Sequence, residues 1–468
     1  MTKKFYFLSL LLGLAISMTG FTSCCDTDDV TPIVPGGGGE EVTFYLDDEA
    51  LPAGIIDPTT GTIQLTEGGE LTLPFVVEPA SLASQIVLSS ADPSIVAVDG
   101  LKLIAKKPGK TTIYATAGNY TMQYDVEVQK FVDRDENGNL KISEINFPDA
   151  NFRTYVKDNF DTNSDDVLTD AEIAEVTSIS VKSSDIKTLE GVEFFTALTM
   201  LDCGRNQLTS LDVSKNTALQ GLGCNENQLT SLDLSKNTAL TVLYCNENQL
   251  TSLDLSKNTA LTYLFCNENQ LTSLDVSGCT ELIYLYCFNN QLTSLDVSKN
   301  TELQQLLCFS NQLTSLNVSK NTALQQLACY SNQLTSLDVS QNTALTSLNC
   351  GTNQLTQLDV TKNTALEELH CYSNQLTSLD VTKNTALEAL DCNTNQLTSL
   401  DVTKNTALEE LYCNSNQLTS LDVSQNTKLT DLNCYENQIT SLDLSNNPAM
   451  DISGLNCDAN VVVTWPVS

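Results

Sequence analysis

A cysteine stands at positions 203, 224, 245, 266, 287, 308, 329, 350, 371, 392, 413 and 434, each 21 residues after the last. So strict a period means that one short unit is copied and stacked, because a unit of this length cannot bury its apolar side chains alone. In the copy that begins at Leu208, apolar residues fall at Leu208, Leu211, Val213, Leu219, Leu222 and Cys224, and asparagines at Asn216 and Asn227. The pattern L-x-x-L-x-[VC]-x-x-N therefore occurs twice per unit. Stacked at ~4.8 Å per coil, the Leu, Val and Cys positions form inward ladders, and about thirteen coils make a solenoid ~60 Å long.

These motifs resemble leucine-rich repeats of the bacterial 21-residue class with a nested double motif. Phe147-Pro148-Asp149 together with residues 176–197 looks like the cap and first coil of internalin-like proteins. The resemblance implies that Asn206, Asn227 and their successors hydrogen-bond the turn backbone from coil to coil. The expected fold is mainly β: a β-sandwich module, then a leucine-rich β-solenoid with a small helical cap. Residues 131–197 are read as an EF-hand-like segment with cap and first repeat, 198–449 as twelve repeats, and 450–468 as a degenerate last coil and cap. Parallel ladder cysteines sit ~4.8 Å apart, wider than the ~3.8 Å between Cβ atoms that a disulfide favours. They are read as free, buried thiols. Cys279 replaces an asparagine in a turn and is expected to be the exposed thiol.

Ahead of the repeats, Lys3 and Lys4 precede an apolar run over residues 5–16, which reads as a secretory signal over residues 1–23. The small residues before Cys24 resemble a bacterial lipobox, which implies lipidation of Cys24 and anchoring in the outer membrane. Asp26, Asp28 and Asp29 resemble a surface-export signal, and residues 24–40 form a Gly-rich tether. Residues 41–130 carry short alternating strands between Gly and Pro turns. The run Ser89-Ser90-Ala91-Asp92-Pro93-Ser94-Ile95-Val96, continued by Lys107-Pro108-Gly109-Lys110-Thr111, resembles group 2 bacterial Ig-like domains, which commonly serve as spacers or stalks.

Two segments have calcium-loop spacing. Asp133, Asp135, Asn137, Asn139 and Glu144 take the ligand positions of the first, with Gly138 at the sharp turn. Asp161, Asn163, Asp165, Val167 and Glu172 take those of the second, with Asp166 at the turn, where Asp tolerates positive φ. The second follows a helix started by Pro148, with Phe152, Tyr155, Val156 and Phe160 on one face, and the first is entered from a strand. The pair resembles a degenerate EF-hand or dockerin-like unit and implies calcium; the alternative is acid-rich turns capping the next domain.

A net charge of −35 and a pI near 4.1 repel phosphate, so nucleic acid is excluded as a partner. The chain has one histidine, His370, beside Glu367, Glu368 and Tyr372, with no nucleophile positioned to use it. A residue copied in every coil is structural, so function is sought where coils differ. The outward positions beside each Cys, which the resemblance places on a concave sheet, hold Tyr244, Tyr263, Phe265, Tyr284, Tyr286, Phe288, Phe309 and Tyr330. Large exposed aromatic patches bind partners, here an extracellular protein or glycan; the alternative is rings that only stack on one another. The sequence thus reads as a monomeric, lipid-anchored surface binding protein without enzymatic activity. A structural spacer with a calcium-rigidified joint is the second reading, and a carboxylate-dependent hydrolase the third.

Overall fold

The computed structural model describes residues 42–465. They fall into two compact units that divide between Asp133 and Arg134. In the first, strands Ile63–Thr66, Tyr120–Gln129, Gly109–Ala117 and Ile86–Ser90 make a four-stranded sheet, and Glu70–Thr72, Lys102–Ala105 and Val96–Asp99 a three-stranded one. Alternation decides which side is buried: in Gly109–Ala117, Thr111, Ile113, Ala115 and Ala117 point inward and Lys110 and Tyr114 outward. Ile63, Leu88, Ile113 and Val126 of one sheet share a core with Leu71, Val96 and Leu103 of the other, so these two sheets form a sandwich, and Thr43–Leu46 paired with Phe75–Glu78 adds a third, two-stranded sheet against the same core.

The second unit is a solenoid. Fourteen short strands, from Ser178–Ser180 to Leu455–Asn456, form one parallel sheet. From Met200–Asp202 to Asp431–Asn433, partners lie 21 residues apart, as in Leu264↔Leu285 and Leu285↔Leu306. Each of these strands buries its central Leu and turns its two flanking residues outward. The last pairing, Leu432↔Leu455, is two residues longer. Gly454 makes that step feasible, since a Cβ there would lie 1.9 Å from the Thr430 carbonyl oxygen.

Two asparagine columns satisfy the backbone where the chain leaves the sheet. Asn227 Nδ2 donates to the carbonyls of Cys203 (3.0 Å) and Cys224 (3.1 Å), while its Oδ1 accepts from Leu208 N (3.0 Å). Asn237 Nδ2 donates to the carbonyls of Val213 and Asn216, both at 2.9 Å. Both patterns repeat along the solenoid, so carbonyls that a turn would strand are paired between coils.

All cysteines among the described residues are free thiols, and the twelve of the ladder are buried. Burial pushes the Cys224, Cys266 and Cys308 thiols up to about 12. Cys279 does not follow its sequence expectation: it is fully buried. It stands in the second asparagine column, where its Sγ donates to the Asn258 carbonyl (3.5 Å) and its own carbonyl accepts from Asn300 (2.7 Å). The turn that looked exposed is an interior column.

Helix α1 (Ala150–Phe160) covers the solenoid's first coils. Asp149 caps it by accepting from the backbone of Asn151 (2.9 Å) and Phe152 (3.1 Å). Phe152 and Val156 are buried, and Phe147, Phe152, Phe160, Phe194 and Phe195 form a ring cluster. Helix α2 (Asp170–Glu175) begins with a capping box between Thr169 and Glu172.

Candidate ligand-binding face

The two outward residues of each strand, and the residue just after each Cys, form columns on the sheet's outer face. At ~4.8 Å between coils, equivalent side chains must touch. Tyr244 stacks on Phe265 (ring centroids 4.5 Å, 10°), and Phe265 meets Tyr286 edge-on (4.7 Å, 83°). Tyr263 meets Tyr284 at 5.1 Å, and Tyr284 lies 6.4 Å from Tyr286. In the column after Cys, Phe288 stacks on Phe309 (4.2 Å, 11°) and Phe309 on Tyr330 (4.3 Å, 9°), while Tyr286 joins Phe288 at 6.5 Å. All eight rings named from sequence thus form one connected patch. Tyr244 is exposed and the other seven are half-buried. The Tyr286 hydroxyl donates to Gln305 Oε1, and burial, then the neighbouring Tyr284, raises its pKa.

The patch has a further member that sequence reasoning set apart. Gly351 interrupts the column after Tyr330, and a Cβ there would lie 2.5 Å from the Tyr372 ring. Tyr372 therefore reaches back across Gly351 toward Tyr330, whose pKa is raised by burial and then by Tyr372. The signal was a glycine followed one period later by a tyrosine.

A family described as Leucine Rich repeats (2 copies) matches residues 259–300. Internalin J of Listeria monocytogenes serotype 4b is 42% identical over 71 residues, which span 15% of this chain and 8% of that protein. The solved functional domain of InlJ from Listeria monocytogenes, described as including a cysteine ladder, is 36% identical, with 68% of this chain and 81% of that one covered and a TM-score of 0.56. The chain belongs to the internalin-type leucine-rich repeat proteins. A second solved internalin from that species, InlF, is 26% identical over 69% of this chain and 98% of its own, with a TM-score of 0.62.

The internalin-type sheet also places His370. It is half-buried, paired in register with Asn349 and Asp391, and Cys371 beside it points into the core.

The residues whose spacing suggested calcium loops sit before the internalin-type coils. Asp133 ends the first unit, while Asp135, Asn137, Asn139 and Glu144 belong to the second. Asp135 accepts from the backbone of Asn137 (2.9 Å) and Asn139 (2.8 Å). In the second loop, Asp161 accepts from the backbone of Asp165 (3.2 Å) and Asp166 (3.0 Å), and Asp165 from that of Val167 (3.1 Å). Gly138 and Asp166 both have positive φ, and Leu140 pairs antiparallel with Leu168, the eighth position of one loop against the eighth of the other. Glu172 is engaged by Thr162 and Thr169, and the Thr162 hydroxyl is the main cause holding its carboxyl down to about 2. Among the described residues no three His, Cys, Asp or Glu side chains converge as a metal cluster. Two second-loop donors, the Asn163 amide and the Val167 carbonyl, are of neither acid nor imidazole type. Cys24 lies outside the described residues, and among those described no helix is long and apolar enough to cross a membrane.

Proposed function

We propose that this chain is a lipid-anchored cell-surface binding protein that recognises an extracellular partner on the ring-lined face of its parallel sheet. The observation that carries this reading is the joining of eight half-buried or exposed rings into one patch, on columns where the fold itself requires only a residue that packs. Rings with polar tips give much contact area for little lost freedom, which is why they dominate binding hot spots. In this reading Cys24 carries the lipid, residues 24–40 are the tether, and the sandwich is an Ig-like spacer. Capture of extracellular proteins and glycans by the full chain, with Phe309→Ala and Tyr286→Ala in parallel, tests it: captured ligands are expected to be lost from both variants. Retention of every captured ligand would place recognition elsewhere.

A calcium reading of the second loop is favoured by one observation, the register that sets Leu140 opposite Leu168. Asp161, Asn163, Asp165 and the Val167 carbonyl would hold the ion as oxygen donors, and a bound cation would supply local rigidity, with no part in any reaction. Calorimetry of the full chain with millimolar calcium, repeated on Asp161→Ala, tests it; equal heats from the two proteins would reject the loop as the site.

A further inference from the structure

The sheet face is divided sharply by charge. From Val242–Tyr244 to Ser347–Asn349, the strand residues and the residue entering each strand, as in Thr262-Tyr263-Leu264-Phe265 and Gln304-Gln305-Leu306-Leu307, include no charged side chain. The next four coils reverse this. Glu367, Glu368, Glu388, Asp391, Glu409, Glu410 and Asp431 occupy the equivalent positions, with His370 among them and no Lys or Arg. The five glutamates are exposed. Among the described residues none of the seven acids has a Lys or Arg within 4.0 Å. Their recorded hydrogen-bond neighbours include Ser347, Asn393 and Thr430, none of which is charged. Tyr372, reaching back over Gly351, lies in the coil where the rings give way to the acids.

The ring geometry bears on which class of partner fits. A sugar is read by stacking on an open aromatic face. Phe309 has both faces covered, by Phe288 at 4.2 Å and Tyr330 at 4.3 Å, and Tyr244 and Phe265 cover one face of each other. The column therefore presents ring edges, which suit the aliphatic side chains and carbonyls of a polypeptide. The strand Tyr284–Tyr286 and the strand Ala389–Asp391 are five coils apart, ~24 Å at ~4.8 Å per coil. A partner of standard interface size, about 800 Å² per side, spans both halves.

We propose that one protein partner is recognised by both halves together, seating an apolar patch on the ring columns and a Lys/Arg-rich patch on the carboxylates of the following four coils. This rests on the sheet face being the binding surface. The neutral half supplies contact area, and the acidic half supplies charge complementarity, which steers approach and fixes direction along the solenoid.

The test uses the full chain and defined probes: a short amphipathic Leu/Lys peptide, its Leu/Glu counterpart, and chitohexaose. Two sets of variants remove the same charge from different faces. Glu367→Gln, Glu388→Gln, Glu409→Gln and Glu410→Gln act on the sheet, and Asp233→Asn, Asp254→Asn, Asp275→Asn and Asp296→Asn act on exposed aspartates that recur every 21 residues outside the sheet strands. The Leu/Lys peptide is expected to bind, and the sheet set and Phe288→Ala/Phe309→Ala each to weaken it by roughly tenfold, with less than about twofold from the outer set. The salt dependence should shrink only in the sheet set. Equal weakening by the two charge sets would mean general attraction to an acidic chain and would overturn the proposal. So would binding of chitohexaose that depends on Phe309. Weakening by the ring variant alone would leave the sheet face as the binding surface and reject the acidic half, whereas no effect from either would reject both. Unchanged circular dichroism identifies folded variants, and Phe309→Tyr, which keeps the stack, should bind as the parent does.

Discussion

At the residue scale, single positions decide whether the columns on the sheet are continuous. Gly351 is required because the Tyr372 ring occupies the place of its side chain, 2.5 Å from where a Cβ would stand. Gly351→Ala is expected to cost stability by less than about 1 kcal/mol, because the half-buried Tyr372 ring can swing toward solvent, yet to displace Tyr372 and weaken any ligand that spans the two halves. Denaturant midpoints and binding measured on one preparation separate the two effects. Cys279 makes the complementary case. The neighbouring coils' asparagines in its column donate twice each, as Asn258 does to Leu234 (3.1 Å) and Asn237 (2.9 Å), whereas Cys279 contributes one weak sulfur contact. Cys279→Asn should restore donors to the Leu255 and Asn258 carbonyls and stabilise the chain by about 1 kcal/mol; a lower denaturant midpoint would show that the thiol fits better than an amide. Sequence reasoning expected an exposed thiol because Cys279 replaces an asparagine in a turn and turns lie at the surface; stacking of the coils buries that turn position as an interior column.

At the scale of the coil, the two asparagine columns do for the turns what the ladder does for the strands. Asn311 donates to the carbonyls of Cys287 (3.0 Å) and Cys308 (3.1 Å) and accepts from Leu292 N (3.0 Å). Asn311→Ala leaves buried backbone groups of two coils without partners, and each such group costs about 1–3 kcal/mol, so a loss of about 3 kcal/mol is expected. Because each coil touches only its neighbours, the loss should loosen the coils around residue 311 first, seen as faster amide exchange there than near residue 221. Uniform exchange along the solenoid would contradict this. The coil is also the scale at which sequence was most legible. The 21-residue period gives the parallel register, and strand alternation puts Leu264 inward and Tyr263 and Phe265 outward. What the period hides is what differs between coils at a distance. Of the seven acids on the sheet, sequence reasoning named Glu367 and Glu368 as neighbours of His370 and left the other five unread, because each is a local difference within its own coil and the group forms only when four coils are laid side by side. The pairing of Leu140 with Leu168 is a contact between two loops, which spacing within either loop does not reveal.

At the scale of the whole molecule, repetition multiplies small effects, and acid sensitivity is where this shows. Asp233, Asp254, Asp275, Asp296, Asp338, Asp359, Asp380, Asp401, Asp422 and Asp443 are all held below their ordinary value, chiefly by hydrogen bonds from the Ser or Thr two residues on. A carboxyl depressed in the folded state adds stability that is complete above its unfolded value, near 3.8, and is lost as pH falls through the folded value. Two groups oppose this: Glu247, raised by burial and then by Glu226 and Glu268, and Asp391, raised by burial. Their contribution has the reverse sign, lost as pH rises. These ten, with Asp57, Asp92, Asp135, Glu172 and Asp451 also lowered, make fifteen depressed carboxyls against two raised ones among the described residues, and they predict a melting temperature that is nearly flat above about pH 5 and falls below about pH 4, although protonation also relieves the repulsion of a chain carrying −35. Asn317 shows how to separate these terms, since it stands in the Asp column and keeps the hydrogen bond, accepting from Ser319 N at 3.0 Å, without titrating. Asp254→Asn, Asp275→Asn and Asp296→Asn together should therefore retain more of the neutral-pH melting temperature at about pH 3 than the parent does. A parent chain whose melting temperature rises on acidification through about pH 4 would show instead that self-repulsion outweighs the column of hydrogen-bonded carboxylates.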